Sequence, residues 1–417
     1  MKIDILIVGA GPAGLSAAIA LKEAGIHNLV VIERENEAGG ILRQCIHNGF
    51  GLHRFREELT GPEYAARDID KATELGIDIR LNTTVLSVSK DKTVTCISRE
   101  RGIDIFECKA VILCMGCRER PRGALGTPGT RCAGIFSAGT AQKFVNLMGL
   151  MPGREIVILG SGDIGLIMAR RMTLQGAKVK ACIEIMPYSS GLNRNIVQCL
   201  DDYDIPLYLS HTVTDIKGRE RLSGITVSKV DENRSPIPGT EFEIPCDTLL
   251  LSVGLIPENE LTLGAGLSLS PATSGAIVDD DFETEAPGIF TAGNVLHVHD
   301  LVDHVSDEAA RAGRAAANYI KKGEGKKDMR NVLDGKGVRG AVPQKINLRG
   351  EGDVRVLFRP DKVYENAEIR VHSGDTLVKS RKARILTPGE MAEIVVSREA
   401  LLGMKEDIII SVTEGSK

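Results

Sequence analysis

The sequence predicts an α/β fold built on two copies of one strand–loop–helix–strand unit, with a small all-β module after them. Three observations carry this. Residues 3–33 (IDILIVGAGPAGLSAAIALKEAGIHNLVVIE) and 155–184 (EIVILGSGDIGLIMARRMTLQGAKVKACIE) share one pattern: apolar strand, glycine loop, helix, second apolar strand. Gly9, Gly11, Gly14 and Glu33 recur 151 positions later as Gly160, Gly162, Gly165 and Glu184. A single offset across four positions implies a duplicated design. From 341 to 417 short runs such as DVRVLFR, AEIRVHS, MAEIVVS and DIIISVT alternate apolar and polar residues, the period of half-buried strands.

The remaining segments fall between these landmarks. Residues 77–116 hold short β-prone runs broken by charged turns and ending in the apolar AVILCMG, which suits a small antiparallel insertion followed by a buried strand. Residues 118–154, rich in Gly, Pro and Arg, read as a connection. Further strands follow around 205–255, ending in DTLLLSVGL, and 287–320 read as an apolar strand, a Gly-Asn turn and an Ala-rich helix. The polar, glycine-rich stretch 321–337 reads as a linker. The resulting domain plan is a first nucleotide domain over 1–118 and 248–322, a second inserted at 119–247, a linker over 323–340 and the β-rich module over 341–417.

The glycine spacing has a chemical reason. A loop that holds a pyrophosphate must turn tightly, bring backbone N–H groups to the phosphates and let the helix pack close to the strand. A carboxylate about 20 residues on accepts hydrogen bonds from ribose hydroxyls. Both copies place the acid, Glu33 and Glu184, after the second strand, so both are expected to be Rossmann-like dinucleotide sites. Glu184 would repel a 2′-phosphate, which favours NAD over NADP at the second loop.

Bulk properties exclude other classes. With 417 residues, 42% of them hydrophobic and 26% charged, the chain is an ordinary globular protein of more than one domain. A net charge of −4, 4% aromatics and no Trp disfavour a nucleic-acid partner. No signal peptide or membrane-length apolar run is evident, and nine irregularly spaced cysteines read as reduced thiols. The expected compartment is the cytoplasm.

GAGPAGLSAA, Glu33, Gly39-Gly40, AVILCMG and GIFTAGN resemble the signatures of two-dinucleotide flavoprotein reductases of the thioredoxin-reductase type over about residues 1–322. The resemblance implies an FAD domain split by an inserted NAD domain. Its implied FAD residues are Gly9, Gly11, Pro12, Ala13, Gly14, Glu33, Arg34, Gly39, Gly40, Val85, Gly116, Gly293, Asn294 and Val305. At the NAD(H) site they are Gly160, Gly162, Asp163, Ile164, Gly165, Glu184 and Gly254. Asn294 stands where that family carries an acid, which keeps a hydrogen-bonding group and loses the charge. GGILRQCIHNGFGLHRFREELTGPEY, MGCRERPRGA, FSAGTAQ, EIMPYSSGLNRNIVQCL and GNVLHVHDLVDHVS are similar to a subfamily found beside glycerol-3-phosphate dehydrogenases. That subfamily is related to flavin subunits of opine, hydroxyproline and hydrogen-cyanide-forming dehydrogenases. The resemblance implies an electron-transfer partner, a dehydrogenase subunit or small redox protein, and is compatible with an oligomer.

Candidate reactive groups are few. Cys114 and Cys117 have CxxC spacing but flank the glycine expected against FAD, which favours a packing role. Ser137 and Thr140 lie where thioredoxin reductases carry their dithiol, and hydroxyls form no disulfide. Cys45 and His47, after Gly39-Gly40, could tune the flavin or relay protons, or merely pack. His304 is a third candidate. His297, His299, Asp300, Asp303 and His304 have ligand-like spacing, but their place between Gly293-Asn294 and a helix start favours flavin-facing and partner-facing roles, so no metal is expected. The expected reaction is hydride transfer between NAD(H) and flavin without an internal redox disulfide. The alternatives are a stand-alone NAD(P)H:acceptor reductase and a non-catalytic assembly component that binds nucleotide.

Overall fold

A computed structural model describes residues 1–414 of the chain. Its contacts divide into two compact units: Met1–Cys117 with Pro257–Lys417, and Arg118–Ile256.

In the first unit β1 (Lys2–Val8) is the apolar run before the first glycine loop, and α1 (Pro12–Glu23) starts immediately after it. β2 (Leu29–Ile32) returns parallel to β1, and Glu33 follows it. Next come α2 (Gly61–Glu74), β3 (Asp78–Arg80), β4 (Thr83–Val88), β5 (Thr93–Ser98) and β6 (Gly102–Leu113). Strand order is β3-β2-β1-β6-β5-β4. The expected antiparallel insertion is present, but it is not a separate layer. The twelve-residue β6 pairs antiparallel to β5 and parallel to β1, so one strand joins insertion and nucleotide sheet.

Two short strands, β7 (Cys117–Glu119) and, later, β16 (Leu255–Pro257), lie where the chain passes between units. The second unit holds β8 (Ile135–Ser137), α3 (Ala138–Met148), β9 (Glu155–Leu159), α4 (Asp163–Leu174), β10 (Lys178–Glu184), α5 (Asn193–Cys199) and β11 (Leu207–Leu209). It continues with β12 (His211–Gly218), β13 (Leu222–Lys229), β14 (Phe242–Ile244) and β15 (Thr248–Leu251). A parallel sheet runs β11-β10-β9-β15-β8, and β12-β13-β14 form an antiparallel sheet. Two expectations are corrected here. Residues 118–154 are more than a connection, because β8 and α3 belong to the sheet layer. Thr248–Leu251, expected to reopen the first domain, pairs with β8 and β9 in the second sheet, where its fully buried run has strands on both sides.

The chain re-enters the first unit through α6 (Glu260–Gly264), β17 (Ile289–Thr291), which pairs with β6, and α7 (Val302–Lys322). α7 lies close on α1 because its contact face is small: Ala309, Ala312 and Ala316 are buried, and a Cβ at Gly313 would stand 2.6 Å from the Ala17 carbonyl oxygen. The expected linker is shorter than 323–340, because Met329–Asp334 and Val338–Val342 are already strands. Their register is fixed by pairing with Ile408–Glu414 and Val354–Pro360, which the local glycines did not disclose. These strands form the β-rich module, with its own core around Phe358, Ile369, Ile394 and Ile410. No helix among the described residues is long and apolar enough to cross a membrane.

Candidate functional site

Both glycine loops are built the same way. At each, the acid after the second strand turns back on the loop. Glu33 Oε2 accepts from the Ala10 N–H at 2.8 Å and Oε1 from the Glu35 N–H at 2.9 Å. Glu184 Oε2 accepts from the Ser161 N–H at 2.9 Å and Oε1 from the Met186 N–H at 2.9 Å. Both carboxylates are buried, at 8% and 5% exposure, and each fixes the N–H of the residue after the first glycine.

The glycines are required by different neighbours. Gly9 (φ 102°) and Gly160 (φ 101°) lie in the left-handed region, and a Cβ at either would strike a carbonyl oxygen, of Cys114 and Ser252 respectively. A Cβ at Gly14 or Gly165 would strike the carbonyl of Gly9 or Gly160, because the helix packs directly on the loop. Gly11 and Gly162 differ. A Cβ at Gly11 would meet nothing nearer than Gly40 Cα at 3.9 Å, and one at Gly162 nothing nearer than Ser190 Oγ at 3.7 Å. The protein has room at the middle glycine, which is where a dinucleotide pyrophosphate would need the backbone bare.

The helices agree. α1 and α4 begin after Gly11 and Gly162 with no side-chain cap, leaving first-turn N–H groups for an anion. By contrast Thr60 and Glu63 form a capping box on α2, and Ser137 caps α3. The Ser137 hydroxyl thus has a local structural role.

Other expected FAD residues gather at the first loop. The Gly39 N–H donates to the Ala10 carbonyl at 2.8 Å, and a Cβ at Gly40 would lie 3.0 Å from Gly11 Cα. A Cβ at Gly293 would lie 2.9 Å from Ala13 and 3.2 Å from Val305, so these three meet. Pro12 opens α1. Asn294 is occupied, its Oδ1 accepting from the His299 N–H at 3.0 Å. Gly116 and Gly254 both take positive φ, 73° and 99°, with open space at the Cβ position. Val85 packs on the core that holds Val8 and Ile32. Arg34 is exposed and lies 4.0 Å from Glu35. At the second loop Asp163 opens α4 and accepts from the Leu192 N–H at 2.8 Å and Asn195 Nδ2 at 2.7 Å, while Ile164 packs against the α4 core.

Two relations escaped the sequence reading. AVILCMG ending at Gly116 has a counterpart, TLLLSVG ending at Gly254, in which Ser252 stands for Cys114. Its spacing differs from that of the loops, so one common offset hides it. The second is Glu308. It accepts from the Gly293 N–H at 2.7 Å and lies 2.7 Å from His297 Nε2 and 3.2 Å from His299 Nε2. In sequence it is one of seven charged residues on α7, yet it is 3% exposed.

The reactive candidates are placed as follows. Cys45 is buried, with its thiol pushed up to about 12 by burial and donating to the Ile41 carbonyl. The chain packs so tightly there that a Cβ at Gly61 would stand 2.8 Å from Cys45 Cβ. His47 Nδ1 lies 3.0 Å from its neighbour's carbonyl at Asn48, with the ring 5.0 Å from Phe50. His304 is on the surface beside His53, and burial draws its pKa down. Of the five-residue His/Asp group, His297 and His299 stay together, their ring centroids 4.3 Å apart, while the other three go elsewhere. Asp300 pairs with Arg359 and accepts from the Met391 N–H, and Asp303 accepts from the Gly51 and Arg54 N–H groups.

Two Rossmann-like sheets, each with a glycine loop, an acid clamp and an uncapped helix start, define a chain with two dinucleotide-binding folds. Residues 3–372 match the family model described as pyridine nucleotide-disulphide oxidoreductase, and the chain belongs to that family. One opine oxidase subunit, from Agrobacterium tumefaciens (strain Ach5), is 26% identical over 312 residues, covering 70% of this chain and 61% of its own length. Glutamate synthase (NADPH) small chain of Escherichia coli (strain K12) is 26% identical over 351 residues, covering 76% and 68%. The chain spans less than two thirds of the opine oxidase subunits, 61% and 58% of their lengths. Among solved structures, thioredoxin reductase of T. acidophilum aligns with a TM-score of 0.63 at 24% identity, over 76% of this chain and 98% of that one, a likeness of fold.

Proposed function

We propose that the chain transfers hydride between NAD(H) at the second loop and FAD at the first, and exchanges the flavin's electrons with a partner subunit. The observation that supports this is the pair of bare middle glycines, Gly11 and Gly162, each inside an otherwise fully packed loop. Bound there, the two dinucleotides supply the hydride donor and acceptor, and no acid, base or nucleophile is needed for the transfer itself.

The chain's own residues do the holding. Glu33 and Glu184 fix the loops and keep lone pairs for ribose hydroxyls, while the first turns of α1 and α4 offer N–H groups to the pyrophosphates. A carboxylate at Glu184 favours NAD over NADP. Cys45 and Cys114, raised by burial, stay thiols at neutral pH. The partner we favour is a dehydrogenase subunit resembling glycerol-3-phosphate dehydrogenase, or a small redox protein. It fits the similarity to subunits named for opine oxidase and glutamate synthase.

Anaerobic addition of NADH to the yellow protein tests the first part: the flavin band should bleach, faster than with NADPH. Purification of the native complex, with its other subunits identified, tests the second. A chain that binds neither coenzyme is an assembly component, and one that turns over quinone or oxygen alone at full rate is a stand-alone reductase.

A further inference from the structure

The turn after β17 carries Gly293, Asn294, His297 and His299, and Glu308 reaches it from the second turn of α7. One nitrogen from each imidazole and one Glu308 oxygen all lie within 4.8 Å of one another. Their side chains are enclosed, at 5% exposure for His297, 1% for His299 and 3% for Glu308. Protein atoms alone produce this enclosure, so the group does not face an open nucleotide cleft.

Hydrogen bonding accounts for part of it. Glu308 Oε2 is 2.7 Å from His297 Nε2, and Oε1 accepts from the Gly293 N–H at 2.7 Å. His299 is different. Its Nε2 sits 3.2 Å from Glu308 Oε1, yet neither ring nitrogen has a hydrogen bond of acceptable geometry among the described residues. Two unsatisfied buried polar atoms on one ring cost about 1–3 kcal/mol each.

We propose that His297, His299 and Glu308 bind one divalent transition-metal ion, zinc by preference, as a structural site that ties the Gly293–His299 turn to α7. Two imidazole nitrogens and a carboxylate oxygen are a donor set for zinc or a neighbouring first-row ion. Metal–ligand distances of about 2.0–2.1 Å put tetrahedral donors about 3.3 Å apart. The carboxylate–imidazole separations of 2.7 and 3.2 Å do not exceed that value, so small side-chain adjustments bring the three donors around one ion. The Gly293 N–H orients the carboxylate from outside, as such partners do in metal sites.

Enclosure on every side makes this a structural site, separate from the hydride path. The expectation of no metal rested on the place of His297, His299, Asp300, Asp303 and His304 between Gly293-Asn294 and a helix start; the fold sends Asp300, Asp303 and His304 elsewhere and brings Glu308 to the two remaining imidazoles.

The test is elemental analysis of untagged, full-length protein produced with zinc supplied and purified without chelators. About one equivalent of zinc or another first-row metal per chain is expected, falling below about 0.1 in His299→Ala and Glu308→Gln. Because either variant could fold poorly, wild type stripped with dipicolinate and the milder His299→Gln are melted with and without zinc chloride. Zinc should raise the wild-type Tm by about 5 °C and leave His299→Gln unmoved. Wild type holding under about 0.1 equivalent and showing no zinc-dependent shift would overturn the site. Equal zinc retention in all variants would overturn it too, by placing the ion elsewhere. Flavin content is read separately by absorbance, so a failed FAD assignment stays distinct from a failed metal assignment.

Discussion

At the first glycine loop the residue after Gly9 is Ala10 and the helix begins with Pro12; 151 positions on, these are Ser161 and Asp163. Backbone and acid clamp are shared, but the second loop is tied by more polar bonds. The Ser161 hydroxyl donates to Glu184 at 2.6 Å, Asp163 holds Leu192 and Asn195, and Ser189 donates to the Ser161 carbonyl at 3.0 Å. A carboxylate has about four acceptor sites. Glu33 spends two on its own chain and Glu184 three. On the proposed assignment the first site would keep more acceptor capacity for a ribose, in keeping with a permanently held cofactor. On the same assignment the second would keep less, in keeping with a coenzyme that leaves after each turnover.

The largest effect should come from filling the middle glycines. Gly11→Val should give soluble protein with flavin content reduced at least about tenfold, because the added carbons enter space that the protein leaves open. Gly162→Val should keep its flavin and raise the KM for NADH by about tenfold or more. The control is Gly14→Val, which collides with the Gly9 carbonyl and should fail to fold. Full flavin retention in soluble Gly11→Val would break the assignment of the first loop.

Next in size is coenzyme choice. Glu184→Ala removes the ribose acceptor and the repulsion of a 2′-phosphate, so the NADH preference should narrow by about tenfold, near 1.4 kcal/mol. A wild type that prefers NADPH refutes the role given to Glu184.

The comparison sharpens with Ser161→Ala, which makes the second loop copy Ala10. Freeing one Glu184 acceptor should lower the KM for NADH by about two- to threefold, in line with a hydrogen bond of about 0.5 kcal/mol. Asp163→Ala should act oppositely and weakly, by loosening residues 192–195 from the loop. Stopped-flow reduction at graded NADH concentrations reads both, and a weaker NADH site in Ser161→Ala counts against the acceptor argument.

The loops were legible in the sequence because their demands are local: a positive φ at Gly9, helix contact at Gly14, an acid after the next strand. The strand ends at Gly116 and Gly254 were half legible. Each is an apolar run into a glycine, but their kinship depends on which strands lie beside β1 and β9, a tertiary fact. Glu308 was not legible, because seven charged residues decorate α7 and only the packing of the helix on α1 and the 293–299 turn shows that Glu308, like Asp303, is buried. The strands at 329–342 were missed for a similar reason. Their partners lie up to about 75 residues away in sequence, and local glycine content outweighed them in the reading.

The smallest effect is expected at the CxxC pair, where the two halves of the molecule act as each other's control. Cys114 occupies the place that Ser252 fills in the second unit, each carbonyl closing on the first glycine of its loop. The position is served by a hydroxyl as well as a thiol, so its requirement is size and backbone geometry. Cys114 is buried, and burial, with the nearby Glu308 charge, pushes its thiol far above the ordinary range. A thiol so raised is a poor nucleophile at any pH the protein tolerates. Cys117 is half-buried and accepts from Asn294 Nδ2 at 3.6 Å, a packing contact. Replacing both by Ala should cost about 1–2 kcal/mol of stability and leave NADH-dependent flavin reduction within about threefold of wild type. Cys114→Ser alone, which copies Ser252, should be milder still. Anaerobic dithionite titration should consume about two electrons per chain before and after the change, the capacity of one flavin. A wild type that takes up about four electrons, two of them lost with the cysteines, would restore a redox disulfide and end the equivalence of Cys114 with Ser252.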